Sequence, residues 1–227
     1  MDEPAHDFSD LVIPFYGGGD RRMFAIERRA MDRDGRVVEF LDGALPHARV
    51  LDVGAGDGHT AELLTRGGRT VAAMEPDGRM IDRSKNLTWV RGVAQEVPFH
   101  DDSFAGAYAT WAFFLSGTSD EAITAGVREL ERVVSPGGPL IIIDNAGGDE
   151  FTALADHSIV GDGARWERLG FDSHIIETSF RFDSLDEARA LIGFYFGETT
   201  AAGLDTLEIG FRVVAHVGRS GRPGTER

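Results

Sequence analysis

Short apolar runs alternate along the chain with longer segments in which apolar residues recur every three or four positions. Five runs have the length and composition of buried strands, and they lie at 49–53, 70–74, 88–92, 104–110 and 140–144. The clearest helical segment is 119–134, with Ser119 as a candidate N-cap and one apolar face formed by Ile123, Val127, Leu130 and Val134. Buried strands that alternate with amphipathic helices predict a doubly wound, parallel α/β sheet.

Both ends of the chain depart from this pattern. Residues 173–182 and 206–217 are longer β-like runs, and a helical segment at 184–198 separates them. A helical pattern also begins at Asp20, a candidate N-cap, and is interrupted by "DRDG" at 32–35. We therefore divide the chain into an N-terminal helical lid at 1–45, one α/β domain at 46–218 and a disordered tail at 219–227.

Composition limits what the protein is expected to bind. Of 227 residues, 38 are acidic and 23 basic, for a formal net charge of −15. Such a chain is a poor ligand for nucleic acid or an anionic membrane, because phosphates require clustered Lys and Arg. The one dense basic cluster, interpreted as a solvated helix face, is Arg21, Arg22, Arg28 and Arg29.

The chain contains no cysteine, which excludes disulfides, thiolate nucleophiles and zinc–thiolate sites. Its acidic start lacks a signal-peptide pattern, and no apolar run approaches the ~20 residues needed to span a bilayer. We therefore expect a cytoplasmic protein whose partner is a small molecule. The oligomeric state is not indicated by any pattern in the chain.

The segment "RVLDVGAGDGHTAELL" at 49–64 joins the first predicted strand to a helix through Gly54, Gly56 and Gly58. Residues without Cβ permit a tight turn and allow a ligand to approach the backbone, and a helix N terminus favours an anionic group. Glu75 ends the second strand, where a carboxylate can accept both hydroxyls of a ribose. Ligands of open parallel sheets bind beyond the carboxyl ends of the strands, so these residues mark the candidate site.

Two cofactor classes fit this layout. A dinucleotide requires G-x-G-x-x-G, whereas here the spacing is G-x-G-x-G and His59 takes the place of the third glycine. This departure disfavours a nicotinamide dinucleotide. Glu75 suits either class of cofactor, so the glycine loop and the acid together leave both open.

Four segments carry a resemblance to a known family, the class I S-adenosylmethionine-dependent methyltransferases. "VLDVGAGDGHTAELL" at 50–64 is similar to their first motif, and "VAAMEPDGRMI" at 71–81 to their second. "RGVAQEVPFHDDSFAGAYATWAFF" at 91–114 resembles the third and fourth, and "ELERVVSPGGPLIIID" at 129–144 the helix, turn and strand that follow. The likeness covers residues 45–145 and is strongest to small-molecule methyltransferases, among them quinone-biosynthesis enzymes.

This resemblance implies a Rossmann-like, doubly wound, mostly parallel seven-stranded sheet with an antiparallel last strand and an N-terminal helical lid. It also implies methyl transfer from S-adenosyl-L-methionine to a small molecule. By position, the family's cofactor contacts correspond to Asp52, Gly54, Ala55 and Gly56 at the methionine part, Glu75 at the ribose, Pro76, Met80, Ala94 and Gln95 at the adenine, and Thr110 near the sulfonium.

Three positions depart from the family's pattern. Val93 stands where the family often has an acid that binds the adenine amino group, and Ala105 replaces a frequent aspartate. Trp111 is bulky where smaller residues are common, and we expect it to shape the substrate cavity.

The reaction class forces no catalytic residue, because a general base is needed only when the nucleophile is protonated. The weak candidates are His157, in the loop after the fifth strand, and Tyr16, in a "FYGGGD" segment that we expect to close over the cofactor. Asp144 and Asn145 resemble part of the magnesium site of catechol-type O-methyltransferases, but Thr110 stands where those enzymes need an aspartate, so no metal is expected. Two other functions stay open: a nicotinamide-dependent oxidoreductase, and a non-catalytic cofactor-binding or regulatory protein.

Overall fold

One seven-stranded sheet forms the centre of the protein in the computed structural model, which describes residues 20–112, 118–156 and 158–221. Tyr16 and His157, the two predicted catalytic candidates, lie outside the described residues. The strands are β1 (Arg49–Val53), β2 (Thr70–Met74), β3 (Thr88–Val90), β4 (Gly106–Thr110), β5 (Pro139–Asn145), β6 (Asp172–Arg181) and β7 (Glu208–Arg219).

The strand order is β3-β2-β1-β4-β5-β7-β6. Strands β1 to β5 pair in parallel, while β7 runs antiparallel to both β5 and β6. The predicted doubly wound sheet with an antiparallel last strand is therefore confirmed. Successive strands are added in one direction from β1 to β3 and in the opposite direction from β4 onward, so the switch point at which such sheets bind ligands lies beyond Val53 and Thr110.

Seven helices of the described chain surround the sheet. They are α1 (Arg21–Ala30), α2 (Arg36–Ala44), α3 (His59–Arg66), α4 (Asp120–Val133), α5 (Gly163–Arg168), α6 (Leu185–Phe196) and α7 (Glu198–Ala202). The two predicted caps are present: Asp20 Oδ1 accepts hydrogen bonds from the N–H groups of Arg22 and Met23 at 3.0 Å, and Ser119 Oγ accepts one from the N–H of Ala122 at 3.2 Å.

The hydrophobic core has two layers, one on each face of the sheet. Met23 and Ile26 of α1 and Leu41 of α2 belong to the same buried cluster as Val50 and Tyr108 of the sheet. The opposite layer is built around α4 and the Trp166 side chain of α5. Helices α1 and α2 thus share the core of the α/β domain, so the described part of the predicted lid packs directly on the sheet.

The carboxyl-terminal boundary lies further along the chain than predicted. β7 continues to Arg219, which pairs with Pro139 at the start of β5. Ser220 is buried, and its Oγ donates to the carbonyls of Val134 at 2.7 Å and Glu131 at 2.8 Å. The prediction that disorder begins at residue 219 is therefore wrong for Arg219 and Ser220, because β5 and α4 provide partners that the polar tail sequence does not reveal.

Candidate functional site

Glycine is needed at each of the three positions after β1, but for different structural reasons. All have positive φ: 74° at Gly54, 56° at Gly56 and 76° at Gly58. A Cβ on Gly54 would lie 2.4 Å from Ala112 Cβ, and one on Gly58 would lie 2.6 Å from Leu87 Cδ1. Among the described residues, a Cβ on Gly56 would meet nothing nearer than Phe24 Cζ, at 3.7 Å. Gly54 and Gly58 therefore permit close packing within the protein, and Gly56 is the glycine with space beside its backbone.

Glu75 ties the glycine loop to the end of β2. The N–H of Gly56 donates to Glu75 Oε2 at 2.9 Å, and the N–H of Asp77 donates to Oε1 at 2.8 Å. Burial raises the pKa of Glu75, while these two backbone hydrogen bonds lower it. Each carboxylate oxygen has two lone pairs, so both oxygens keep capacity for a further donor such as a hydroxyl. The sequence predicted both elements of this site but not the bond between them.

Asp52 is a buried carboxylate without a hydrogen bond of good geometry from any described residue to either oxygen. Burial raises its pKa to about 7; the nearby Tyr108 hydroxyl and Arg28 lower the pKa, and Glu75 raises it. Buried polar atoms are nearly always satisfied, so an orphaned carboxylate beside a ligand-binding loop indicates a missing partner. A cofactor that carries an ammonium group would supply both the charge and the donors that Asp52 lacks.

Helix α1 lies over the glycine loop and is held there by Asp57. Arg28 Nε is 3.6 Å from Asp57 Oδ1, and Lys85 Nζ is 3.3 Å from Asp57 Oδ2 and donates to the Asp57 carbonyl at 2.7 Å. The Arg28 side chain is only 19% exposed, so the prediction of a solvated basic face is wrong for this residue. Burial lowers the pKa of neighbouring His59 to about 4, which leaves its imidazole neutral at pH 7.

The residues predicted to border an adenine follow β2 and β3. Met80 and Ala94 are buried, and Pro76 is half-buried. Val93 is also buried, and no described residue hydrogen-bonds to the buried Oε1 of Gln95. An acceptor thus lies two residues beyond the position at which the resemblance leads one to expect an acid.

The end of β4 contains a strained residue. Trp111 has φ of 44°, a left-handed conformation that costs an ordinary residue about 1–2 kcal/mol. Its N–H donates to the Ile143 carbonyl at 3.1 Å, and its Nε1–H donates to Asn145 Oδ1, also at 3.1 Å. The indole also stacks on Phe211, with ring centroids 6.2 Å apart. These contacts hold the strained conformation, and such strain is concentrated at functional sites.

The side chains of Asp144 and Asn145 contact different parts of the structure. Asn145 Oδ1 accepts from Trp111, whereas the Asp144 side chain is buried beside Gly161, where an added Cβ would lie 2.6 Å from Asp144 Oδ2. Burial raises the pKa of Asp144 to about 7, and the N–H of Asn145 donates to its Oδ1. In the described parts of the chain, no group of three or more His, Asp or Glu side chains is arranged to hold a metal ion.

Part of the chain is similar to a known protein family. Residues 51–142 match the family model for a methyltransferase domain. The demethylmenaquinone methyltransferase of Tropheryma whipplei (strain Twist) is 30% identical over 143 residues, which cover 55% of this chain and 58% of the relative. The demethylmenaquinone methyltransferase of Renibacterium salmoninarum is 32% identical over 147 residues, which cover 63% of this chain and 59% of the relative. The chain thus spans less than two thirds of the length of these curated relatives.

Solved structures share the fold of this chain. A putative methyltransferase from Bacillus halodurans has a TM-score of 0.56 at 19% identity, covering 84% of this chain and 100% of its own. A possible histamine N-methyltransferase from Thermotoga maritima has a TM-score of 0.56 at 18% identity, covering 89% and 96%. SpnF, a [4+2]-cyclase, has a TM-score of 0.53 at 15% identity, covering 83% and 81%. At these identities the likeness concerns the fold, which proteins with different stated activities share.

None of the helices in the described ranges has the length and hydropathy of a membrane-spanning segment.

Proposed function

We propose that this protein transfers a methyl group from S-adenosyl-L-methionine to a small-molecule acceptor. The orphaned Asp52 carboxylate beside the glycine loop carries the proposal, since it suits the ammonium of the cofactor's methionine part. The methyltransferase-domain match and the names of the curated relatives support the same activity.

The first half of the proposed cofactor site is the loop from Gly54 to Gly56. Its backbone accommodates the methionine part, with Asp52 beneath it and Gly56 offering space for close approach. Glu75 accepts the ribose hydroxyls while its oxygens stay fixed by the N–H groups of Gly56 and Asp77. A single carboxylate then sets the distance between the ribose and the loop.

The second half holds the adenine. Pro76 and Met80 provide an apolar surface, and Ala94 borders the edge of the ring through its backbone. The amide oxygen of Gln95, unpartnered among the described residues, accepts a hydrogen bond from the adenine amino group. It takes the place of the acid that the family often has at the position of Val93. Thr110, the last residue of β4, lies at the sulfonium end of the site.

The bound cofactor supplies a methyl group already activated on a sulfonium, so alignment is the main task of the protein. Trp111 and Asn145 fix the end of β4 against the end of β5 through their hydrogen bond. Helix α1, anchored by Arg28 on Asp57, covers the glycine loop and excludes water from it. These residues orient the two reactants along one line and keep solvent from competing.

Calorimetry with S-adenosylmethionine, its demethylated product and NADH tests the proposal. We expect the first two to bind and NADH to give no heat of binding. NADH binding without the other two would instead support the nicotinamide-dependent oxidoreductase. Binding of the methionine cofactor without transfer of labelled methyl to any extract or acceptor panel would support a non-catalytic cofactor-binding or regulatory protein.

Two substitutions at Glu75 test the ribose contact. Glu75→Ala removes both oxygens and is expected to abolish most cofactor binding. Glu75→Gln keeps the shape and one carbonyl oxygen, and is expected to retain part of the affinity. Unchanged affinity in Glu75→Ala would overturn the ribose assignment.

A further inference from the structure

A second buried carboxylate, Glu27, lies on the inner side of α1. The Tyr195 hydroxyl of α6 donates a hydrogen bond to Glu27 Oε1. Glu27 is only 8% exposed. The residues assigned above to the cofactor do not include this pair, although it joins two helices that pack on the same face of the sheet.

Helix α1 connects Glu27 to the cofactor loop. Phe24 and Glu27 are three residues apart on the helix, so their side chains share a face. Phe24 Cζ lies 3.7 Å from the Cβ position of Gly56. Arg28, the next residue, reaches Asp57 in the same loop. Glu27 therefore lies within one helical turn of the side chains that cover the proposed cofactor site.

A second series of contacts reaches the pair from the end of β4. Trp111 stacks on Phe211 with ring centroids 6.2 Å apart, and Phe211 meets Phe151 edge-on at 5.2 Å. Phe151 in turn meets Tyr195 edge-on at 5.9 Å. Ala112, the residue after Trp111, packs against Gly54. The two series therefore form a closed circuit of contacts that runs from the glycine loop through α1 and the Glu27–Tyr195 pair to the three aromatic rings and back to the loop.

The surroundings of Glu27 suit proton transfer near neutral pH. Burial raises its pKa to about 7, although the Tyr195 hydrogen bond and the charge of Arg28 lower it. Burial and the neighbouring Glu27 carboxylate both raise the pKa of Tyr195 well above its ordinary value. Strand β6 also packs on α1, with Phe180 opposite Met31. Within the described parts of the chain, Tyr195 and Arg28 are the titratable and charged groups that act on Glu27.

We propose that Glu27 is the general base that removes the hydroxyl proton of an aromatic acceptor, and that Tyr195 positions its carboxylate. The proposal rests on the methyl transfer proposed above. The acceptor O–H proton passes to Glu27, and the acceptor oxygen forms a bond to the methyl carbon. The carbon–sulfur bond breaks as that bond forms, and its electron pair stays on sulfur. The proton on Glu27 then leaves to solvent.

An acceptor hydroxyl on an aromatic ring fits the circuit of contacts better than other nucleophiles. Trp111, Tyr195 and Phe196 are partly exposed and offer ring faces and edges to a flat, apolar molecule, with the buried Phe151 and Phe211 packed against them. A phenol with a pKa near that of tyrosine, about 10, is mostly protonated at neutral pH and so requires a base. A neutral amine, by contrast, already has a free electron pair.

The test compares Glu27→Gln with the wild-type protein on a series of substituted phenols of graded acidity, with S-adenosylmethionine as donor. For weakly acidic phenols we expect kcat/KM to fall about 10²–10⁴-fold in Glu27→Gln, the usual contribution of a general base. For nitrophenols that are already ionised at the assay pH, the loss should approach zero. Tyr195→Phe, which keeps the base, should lose less and show the same trend, and every product should carry its methyl on oxygen.

A matched control lies between the same two helices. Glu187 of α6 pairs with Arg29 of α1 at 2.5 Å on their outer side. Glu187→Gln makes the same chemical change away from the proposed site and should leave all rates unchanged. Calorimetry should give the same cofactor affinity for Glu27→Gln as for the wild type.

Several results would overturn the inference. An equal loss on every phenol in Glu27→Gln would make the pair purely structural. Wild-type protein that binds the cofactor and methylates no phenol, or methylates nitrogen or ring carbon, would refute the hydroxyl assignment and leave the proposed function intact. Wild-type protein that does not bind S-adenosylmethionine would refute the proposed function itself.

Discussion

Asp52 on β1 stands directly opposite Tyr108 on β4, and both side chains are almost completely removed from solvent. The strand order reverses between these two strands, so this contact lies directly below the switch point. Burial raises the pKa of Asp52 to about 7 and that of Tyr108 well above its ordinary value. A bound cation would favour the ionised form of the Asp52 carboxyl, which burial disfavours in the free protein.

Cofactor binding should release protons near neutral pH. With its pKa at about 7, Asp52 is largely protonated at pH 6 in the free protein, whereas a bound ammonium group favours the ionised form. Affinity for S-adenosylmethionine should therefore increase as the pH rises through 7. Calorimetry at pH 6 in buffers of different ionisation enthalpy measures the released protons. Asp52→Asn should abolish this release and weaken binding about ten- to a hundredfold; proton release that persists in Asp52→Asn would refute the assignment.

Alanine at the three glycines should separate folding from binding. Gly54→Ala and Gly58→Ala combine a positive φ with contacts of 2.4 and 2.6 Å, so both should lower the melting temperature strongly. Gly56→Ala meets no atom of the described chain nearer than 3.7 Å and should cost only the backbone strain of about 1–2 kcal/mol, while it impairs cofactor binding. Thermal unfolding and calorimetry measure the two effects. Equal melting temperatures for all three variants would contradict the distinction.

Arginines at adjacent positions of α1 should differ in function. Arg28 faces Asp57 in the glycine loop, whereas Arg29 faces Asp183 and Glu187 on the outer surface. Arg28→Gln should release α1 from the loop and weaken cofactor affinity severalfold. Arg29→Gln is the control and should bind as the wild type does, because exposed ion pairs contribute little. Similar affinities in the two variants would show that α1 does not need this anchor.

Stability of the free protein should decline as the pH rises from about 4 to about 7. Glu27, Asp52 and Asp144 have pKa values of about 7 in the folded protein, against ordinary values of 4.5, 3.8 and 3.8. Between these limits the unfolded chain loses protons that the folded protein keeps, so the free energy of unfolding falls over this window. Asp144→Asn should reduce the fall in the free energy of unfolding between pH 4 and pH 7 by on the order of 1 kcal/mol or more. Urea unfolding at several pH values provides the measurement, and an unchanged slope would refute the role of Asp144.

The order of helices and strands was predictable because its determinants are local. Apolar periodicity marks the strands, and the caps at Asp20 and Ser119 depend on residues two or three positions away. The glycine loop and Glu75 were recognisable for the same reason, since each directly follows a strand.

Contacts between distant parts of the chain were not predictable. The Glu27–Tyr195 hydrogen bond joins residues 168 positions apart, and the interpretation of Arg28 as solvated was wrong because its partner lies in another element. The positive φ of Trp111 likewise depends on Asn145 and Phe211, which belong to other strands. Pairwise geometry of this kind has no periodic signal along the sequence.

Lys85 is the only lysine of the chain, and its ammonium is held by Asp57 beside the glycine loop. Amine-directed reagents therefore have a single side-chain target, and it lies where the cofactor is proposed to bind. Because the chain has no cysteine, one introduced thiol on α1 would be a second unique attachment point. A fluorescent donor and acceptor attached at these two positions would follow the distance between α1 and the loop in real time.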